Sequence, residues 1–133
     1  MKYLDIGEVI IIHERMLEIG GGRSGVSDYR LLHSAIERPK TTFAGKLLYP
    51  TIWLQSAALI HSLVKNHPFS DGNKRTAFFS TLRFLHINGY IFDSTQREVI
   101  EFGVSIDTKN LRLEEIADWF KSRSRKRRSN VSQ

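Results

Sequence analysis

Residues 67–76 read His-Pro-Phe-Ser-Asp-Gly-Asn-Lys-Arg-Thr, between one apolar run from Ile52 to Val64 and another from Ala77 to Ile87. Both flanking runs are apolar over more than one narrow stripe, which predicts a central, largely buried pair of helices. The first must stop before Pro68, because the residue ahead of a proline is pushed out of the α region. The second starts near Gly72 and ends at Asn88-Gly89. The polar run is therefore a corner between two buried elements.

Outward from this corner the chain reads as further helices. Asp5-x-x-Glu8 is a capping-box pattern opening an apolar-periodic stretch to about Ile19, stopped by Gly20-Gly21-Gly22. Ser27 or Asp28 caps a second helix with Leu31, Leu32, Ala35 and Ile36 on one face, ended by Pro39. Residues 40–50 lack a helical period and suggest an extended or hairpin-like excursion, after which Thr51 caps the first central helix. Tyr90-Ile91-Phe92 is a short extended link. Thr95-x-x-Glu98 caps a helix to about Ile106, and a last helix runs from Leu113 to about Lys121 around Ile116, Trp119 and Phe120. The expectation is an all-α fold: a compact bundle of about six helices with a flap-like segment before the central pair.

Composition limits the function classes. At 133 residues with 41% hydrophobic side chains, the chain suits one domain with its own core. It has no cysteine, so disulfides, thiol nucleophiles and thiolate metal sites are excluded. No apolar run is long enough to cross a bilayer and no signal-peptide pattern is present, so a cytoplasmic protein is expected. The net charge of +6 has a local origin: Lys121, Arg123, Arg125, Lys126, Arg127 and Arg128 have no acid after them, which leaves 14 basic against 14 acidic side chains in residues 1–120. We therefore expect a catalytic domain over 1–120 and a flexible basic tail over 121–133. The tail offers the one route to nucleic-acid binding, and the bland alternative is a solvated end that aids solubility.

The corner carries chemistry. A helix N-terminus presents unpaired N–H groups and partial positive charge, a ready anion site. Gly72 allows close approach to that backbone, Asn73 can orient the loop or donate to an oxygen, and Lys74 and Arg75 add cationic donors for phosphate. Asp71 is placed to hold Mg²⁺ together with phosphate oxygens, its bland alternative being a plain N-cap. His67 is the one group here whose unperturbed pKa suits proton abstraction near neutrality. Phe69 reads as a core anchor. His13, His33, His61 and His86 fall within predicted helices without metal-ligand spacing and are assigned no role.

The run at 67–76 resembles the signature of the Fic/Doc family, and its lysine form looks like the death-on-curing branch. The segment at 21–28, Ala35-Ile36-Glu37-Arg38-Pro39 and the run 85–89 are also similar to that branch, so the likeness covers nearly all of residues 3–120. It implies an ATP-using transferase acting on a protein hydroxyl. His67 would be the general base, Asp71 would hold Mg²⁺, and Gly72, Asn73, Lys74 and Arg75 would cradle the phosphates. The segment at 40–50 would be the flap that docks the target chain as an added strand. Members of that branch phosphorylate a translation factor and are silenced by a small antitoxin.

Where adenylylating Fic enzymes have a second glycine this chain has Lys74, and where they have a second arginine it has Phe78. Both departures favour transfer of phosphate over AMP. Gly72 departs in turn from the alanine of the Doc pattern. Ser94 to Glu98 is the nearest match to an inhibitory Fic helix, but Val99 follows where glycine or asparagine is needed, so restraint is expected from a separate antitoxin whose disordered tail folds onto this surface.

Overall fold

The computed structural model describes residues 1–128. In chain order the helices are α1 (Ile6–Gly20), α2 (Tyr29–Glu37), α3 (Ile52–Asn66), α4 (Asn73–Ile87), α5 (Gln96–Thr108) and α6 (Leu113–Ser122), with a 3₁₀ turn at Arg38–Lys40. The strands are short: β1 (Thr42–Phe43) pairs antiparallel with β2 (Lys46–Leu47), and β3 (Tyr90–Phe92) with β4 (Ser124–Lys126). The fold is all-α, as the sequence leads one to expect.

Side-chain caps set the helix starts. Asp5 and Glu8 close a reciprocal box on α1, Asp28 accepts from the N–H groups of Arg30 and Leu31, Thr51 accepts from Leu54, and Thr95 with Glu98 repeats the box on α5. α3 is the hub, packed against α2, α4 and α6. Along it Ala57, Ala58, Leu59, Ile60, Leu63 and Val64 are buried together with Gln55, Ser56 and Ser62. Burial on nearly every side is what a helix apolar beyond one stripe requires. On α2 only Leu32, Ala35 and Ile36 of the expected face are buried, whereas Leu31 is exposed.

Residues 40–50 form a hairpin. Ala44 and Gly45 both have positive φ (52° and 78°), the signature of a two-residue turn whose twist matches that of the strands. Arg38 fastens its base, donating from Nε to the Tyr49 hydroxyl (3.1 Å) and from Nη1 to Ser62 (2.8 Å).

Part of the stretch expected as a tail belongs to the fold. Lys121 and Ser122 close α6, β4 pairs with β3 with Tyr90 opposite Lys126, and the Arg127 N–H donates to the Gly89 carbonyl (2.7 Å). Tyr90–Phe92 is correspondingly a paired strand and not a bare link. Residues 129–133 of the expected tail lie outside the described residues. Phe78, Phe92, Phe102, Trp119 and Phe120 form an aromatic cluster beneath this ribbon, with Phe102 and Trp119 stacked at 3.8 Å.

Candidate active site

His67 caps the C-terminal end of α3 in the left-handed conformation (φ 46°, ψ 56°). This turn ends the helix, and Pro68 prevents its continuation. The loop that follows is strapped to the glycine-rich segment after α1. The Pro68 carbonyl accepts from Ser27 and Asp28 (2.8 and 3.2 Å), and Ser70 donates to the Gly25 carbonyl (3.2 Å). Phe69 is buried, as expected of an anchor, and stacks on His13 with ring centroids 3.9 Å apart.

Two side chains fix the path of this loop. Asn73 Oδ1 accepts from the Phe69 N–H (3.0 Å) and Asn73 Nδ2 donates to the Phe69 carbonyl (2.9 Å), so its amide serves the loop backbone; Nδ2 also lies 3.5 Å from His67 Nδ1. His13, fully buried, places Nε2 2.7 Å from the Asp71 carbonyl. A carbonyl only accepts, so the proton of His13 sits on Nε2. His13 thus has the structural role that its sequence position did not reveal.

Asp71 is not the N-cap of α4. Gly72 takes that position with φ 72°, a conformation strained for any residue with a Cβ. The Asp71 carboxylate, about half exposed, accepts from the Arg23 N–H through Oδ2 (3.0 Å). At the start of α4, Thr76 N–H bonds the Gly72 carbonyl, so by position the N–H groups of Asn73, Lys74 and Arg75 have no intrahelical acceptor.

The cations differ in their engagement. Arg75 caps α1 from outside, donating to the carbonyls of Met16 (2.9 Å) and Gly21 (3.0 Å). A Cβ at Gly20 would fall on its guanidinium, so glycine there makes room for the contact. Lys74 instead reaches across to α5, its ammonium 3.0 Å from Asp107 Oδ2. Asp107 Oδ1 lies 3.8 Å from His67 Nε2. The lysine contact holds the Asp107 carboxyl below its usual range. Sequence reading missed Asp107, since nothing in the local pattern of α5 separates it from a solvated acid.

Every residue expected in the site lines one cleft of about 330 Å³: His67, Asp71, Gly72, Asn73, Lys74 and Arg75, with Ser70. Beside it, sharing Lys74 and Arg75, runs a larger and mainly apolar groove of about 720 Å³ between α1, α4 and α5, walled by Ile19, Phe79, Ile100 and Val104. The cleft brings together an imidazole, open helix N–H donors and an ammonium paired with Asp107. No cluster of three or more His, Asp or Glu side chains able to hold a metal occurs among the described residues. A cation here would need ligand oxygens besides Asp71, which fits Mg²⁺ bound through one carboxylate plus phosphates.

The Fic/DOC family model matches residues 3–85, more than half of the chain and including the whole corner. The chain belongs to the Fic/Doc family. A stretch of 69 residues is 51% identical to Toxin Doc of Mycolicibacterium smegmatis, covering 52% of this chain and 53% of that protein, so the match spans about half of that relative. Protein kinase doc of Escherichia phage P1 is 30% identical over 119 residues, 89% of this chain and 92% of that protein.

Within this Fic/Doc fold, Phe78 is turned into the aromatic cluster, 9% exposed, and does not line the cleft. Glu98 is held on α5 and α6, accepting from Ser94 Oγ (3.0 Å) and Arg123 Nη2 (3.0 Å). Arg123 above all pushes its pKa down to about 2. No helix among the described residues is long and apolar enough to cross a membrane.

Proposed function

We propose that this chain is a Doc-like toxin that transfers the γ-phosphate of ATP to a serine or threonine hydroxyl of a protein, acting in the cytoplasm on a component of translation. The observation that carries this reading is the single cleft in which an imidazole, an open helix N-terminus and an exchangeable lysine meet. The polyphosphate lies against the N–H groups of Asn73, Lys74 and Arg75, with Gly72 admitting it to the backbone. His67 accepts the proton of the incoming hydroxyl, the hydroxyl oxygen bonds the γ-phosphorus, and the bond to the β-phosphate oxygen breaks to release ADP. Mg²⁺ held by Asp71 and phosphate oxygens would neutralise charge on the transferred group. Asn73 keeps the loop, and so His67, in register through its paired bonds to Phe69.

Phosphate is favoured over AMP by the placement of Phe78. A cation at that position would serve the terminal phosphates in the AMP-transfer orientation, and here an aromatic ring packs inward instead. The hairpin at 42–47 supports target docking, since Phe43 at its tip is 76% exposed and short strands there can accept an added one. The apolar groove beside the cleft gives the expected antitoxin a seat for an amphipathic segment.

ATP labelled at the α or the γ phosphate, incubated with the protein and a cell lysate, tests the reading. A protein band labelled only from the γ position is expected. Label arriving from the α position would establish AMP transfer in its place.

A further inference from the structure

Asp107 stands in the last turn of α5, where a helix C-terminus carries partial negative charge and disfavours a carboxylate. Two lysines offset that setting. Lys65 Nζ donates to the Asp107 backbone carbonyl at 3.0 Å, and Lys74 Nζ approaches Oδ2 at 3.0 Å. The carboxylate is the less exposed partner of the Lys74 pair, 28% against 45%. Its other oxygen lies 3.8 Å from His67 Nε2, so the carboxylate meets two residues that line the cleft. The other functional cation of the corner is committed elsewhere, because Arg75 bonds two α1 carbonyls. Lys74 is thus the cation whose partner can be exchanged without uncapping a helix.

We infer that Asp107 is a resident counter-ion that competes with nucleotide phosphate for Lys74 and so sets how tightly the cleft holds a nucleotide. The inference rests on reading the cleft as a phosphate site. An anion entering the cleft meets a lysine already neutralised, and it meets the repulsion of a carboxylate beside it. Both effects grow with the charge of the ligand, so Asp107 opposes ATP more than AMP and does not affect a neutral nucleoside. Recapture of Lys74 by Asp107 then assists departure of the spent nucleotide. Asp107 acts through Lys74 and is a positioning residue, not a catalytic one.

The opposite view, that the pair only braces α5 against α4, predicts the opposite sign. A brace when cut loosens the rim and weakens binding. A competitor when removed strengthens it.

Calorimetric titration of the full chain with ATP, ADP, AMP and adenosine in the presence of Mg²⁺ separates the two. Asp107→Asn keeps the shape of the side chain, and its melting curve controls for folding. Its affinity for ATP is expected to rise by about threefold to fivefold, the scale of one partly exposed ion pair. The gain should shrink through ADP and AMP and vanish for adenosine. In a Lys74→Met background the same substitution should add no such graded gain. In turnover, the KM for ATP should fall without a rise in kcat.

Unchanged or weakened ATP binding in a folded Asp107→Asn variant, or an equal gain without Lys74, would overturn the inference while leaving the phosphate site standing. Absence of ATP binding by the unsubstituted protein would remove the phosphate-site reading, and the inference with it.

Discussion

At the N-terminal end of α4, polar side chains hold backbone in place; under the β3–β4 ribbon, aromatic rings do the holding. Asn73, His13 and Arg75 each bond main-chain groups around the cleft, while the His67 and Lys74 side chains are half exposed and meet Asp107. Under the ribbon Phe78, Phe102 and Phe120 are buried with Trp119 packed on them, and β3 and β4 close over the cluster. The difference teaches where substitutions show themselves. Near the cleft, chemistry can be lost without unfolding; at the ribbon, folding is lost first.

His67→Ala is the largest test of that division. Loss of a positioned base lowers transfer by about a hundredfold to ten-thousandfold. Its stability should shift by less than about 0.5 kcal/mol, since the side chain is exposed. His67→Gly should lose transfer equally while gaining about 1 kcal/mol, because glycine adopts positive φ without strain. A melting midpoint that falls along with activity in both variants would break the comparison.

Phe120→Ala probes the aromatic cluster. This ring is fully buried, and its loss should cost about 3–5 kcal/mol in urea unfolding. ATP affinity of the protein that remains folded should not change. His13→Ala sharpens the boundary by mixing the two behaviours. It strips the Asp71 carbonyl of its donor and Phe69 of its stacking partner, so about 1–3 kcal/mol is expected, with weaker ATP binding alongside.

How far the sequence reveals this arrangement follows the same line. Caps are local, so Asp5, Asp28, Thr51 and Thr95 mark their helices directly, and the run at 67–76 declares its cleft because its residues are neighbours in the chain. Contacts between distant elements leave no local trace. His13 reads as one polar residue on an apolar face, Asp107 as one acid among solvated ones, and Arg75 gives no sign that it caps α1. β4 is hidden for another reason. Ser-Arg-Lys lacks alternating apolar residues, and its strand exists only because Tyr90–Phe92 supplies a partner.

The smallest expected effect belongs to Glu98, which ties the start of α5 to Arg123 at the end of α6. Its pKa in the folded protein is about 2 against an ordinary 4.5. A depressed carboxyl stabilises the fold wherever it is ionised in both states, so its contribution is complete above about pH 5 and is lost as the pH falls from there towards 2. Urea titrations of the unsubstituted protein and Glu98→Gln should differ at pH 6 and converge near pH 2. Because the pair is open to solvent, the gap should also narrow in high salt. If the two proteins instead stay parallel across this range, Arg123 holds α6 through its stacking on Trp119, whose ring centroid lies 4.6 Å away, and the ion pair adds nothing to that end of the molecule.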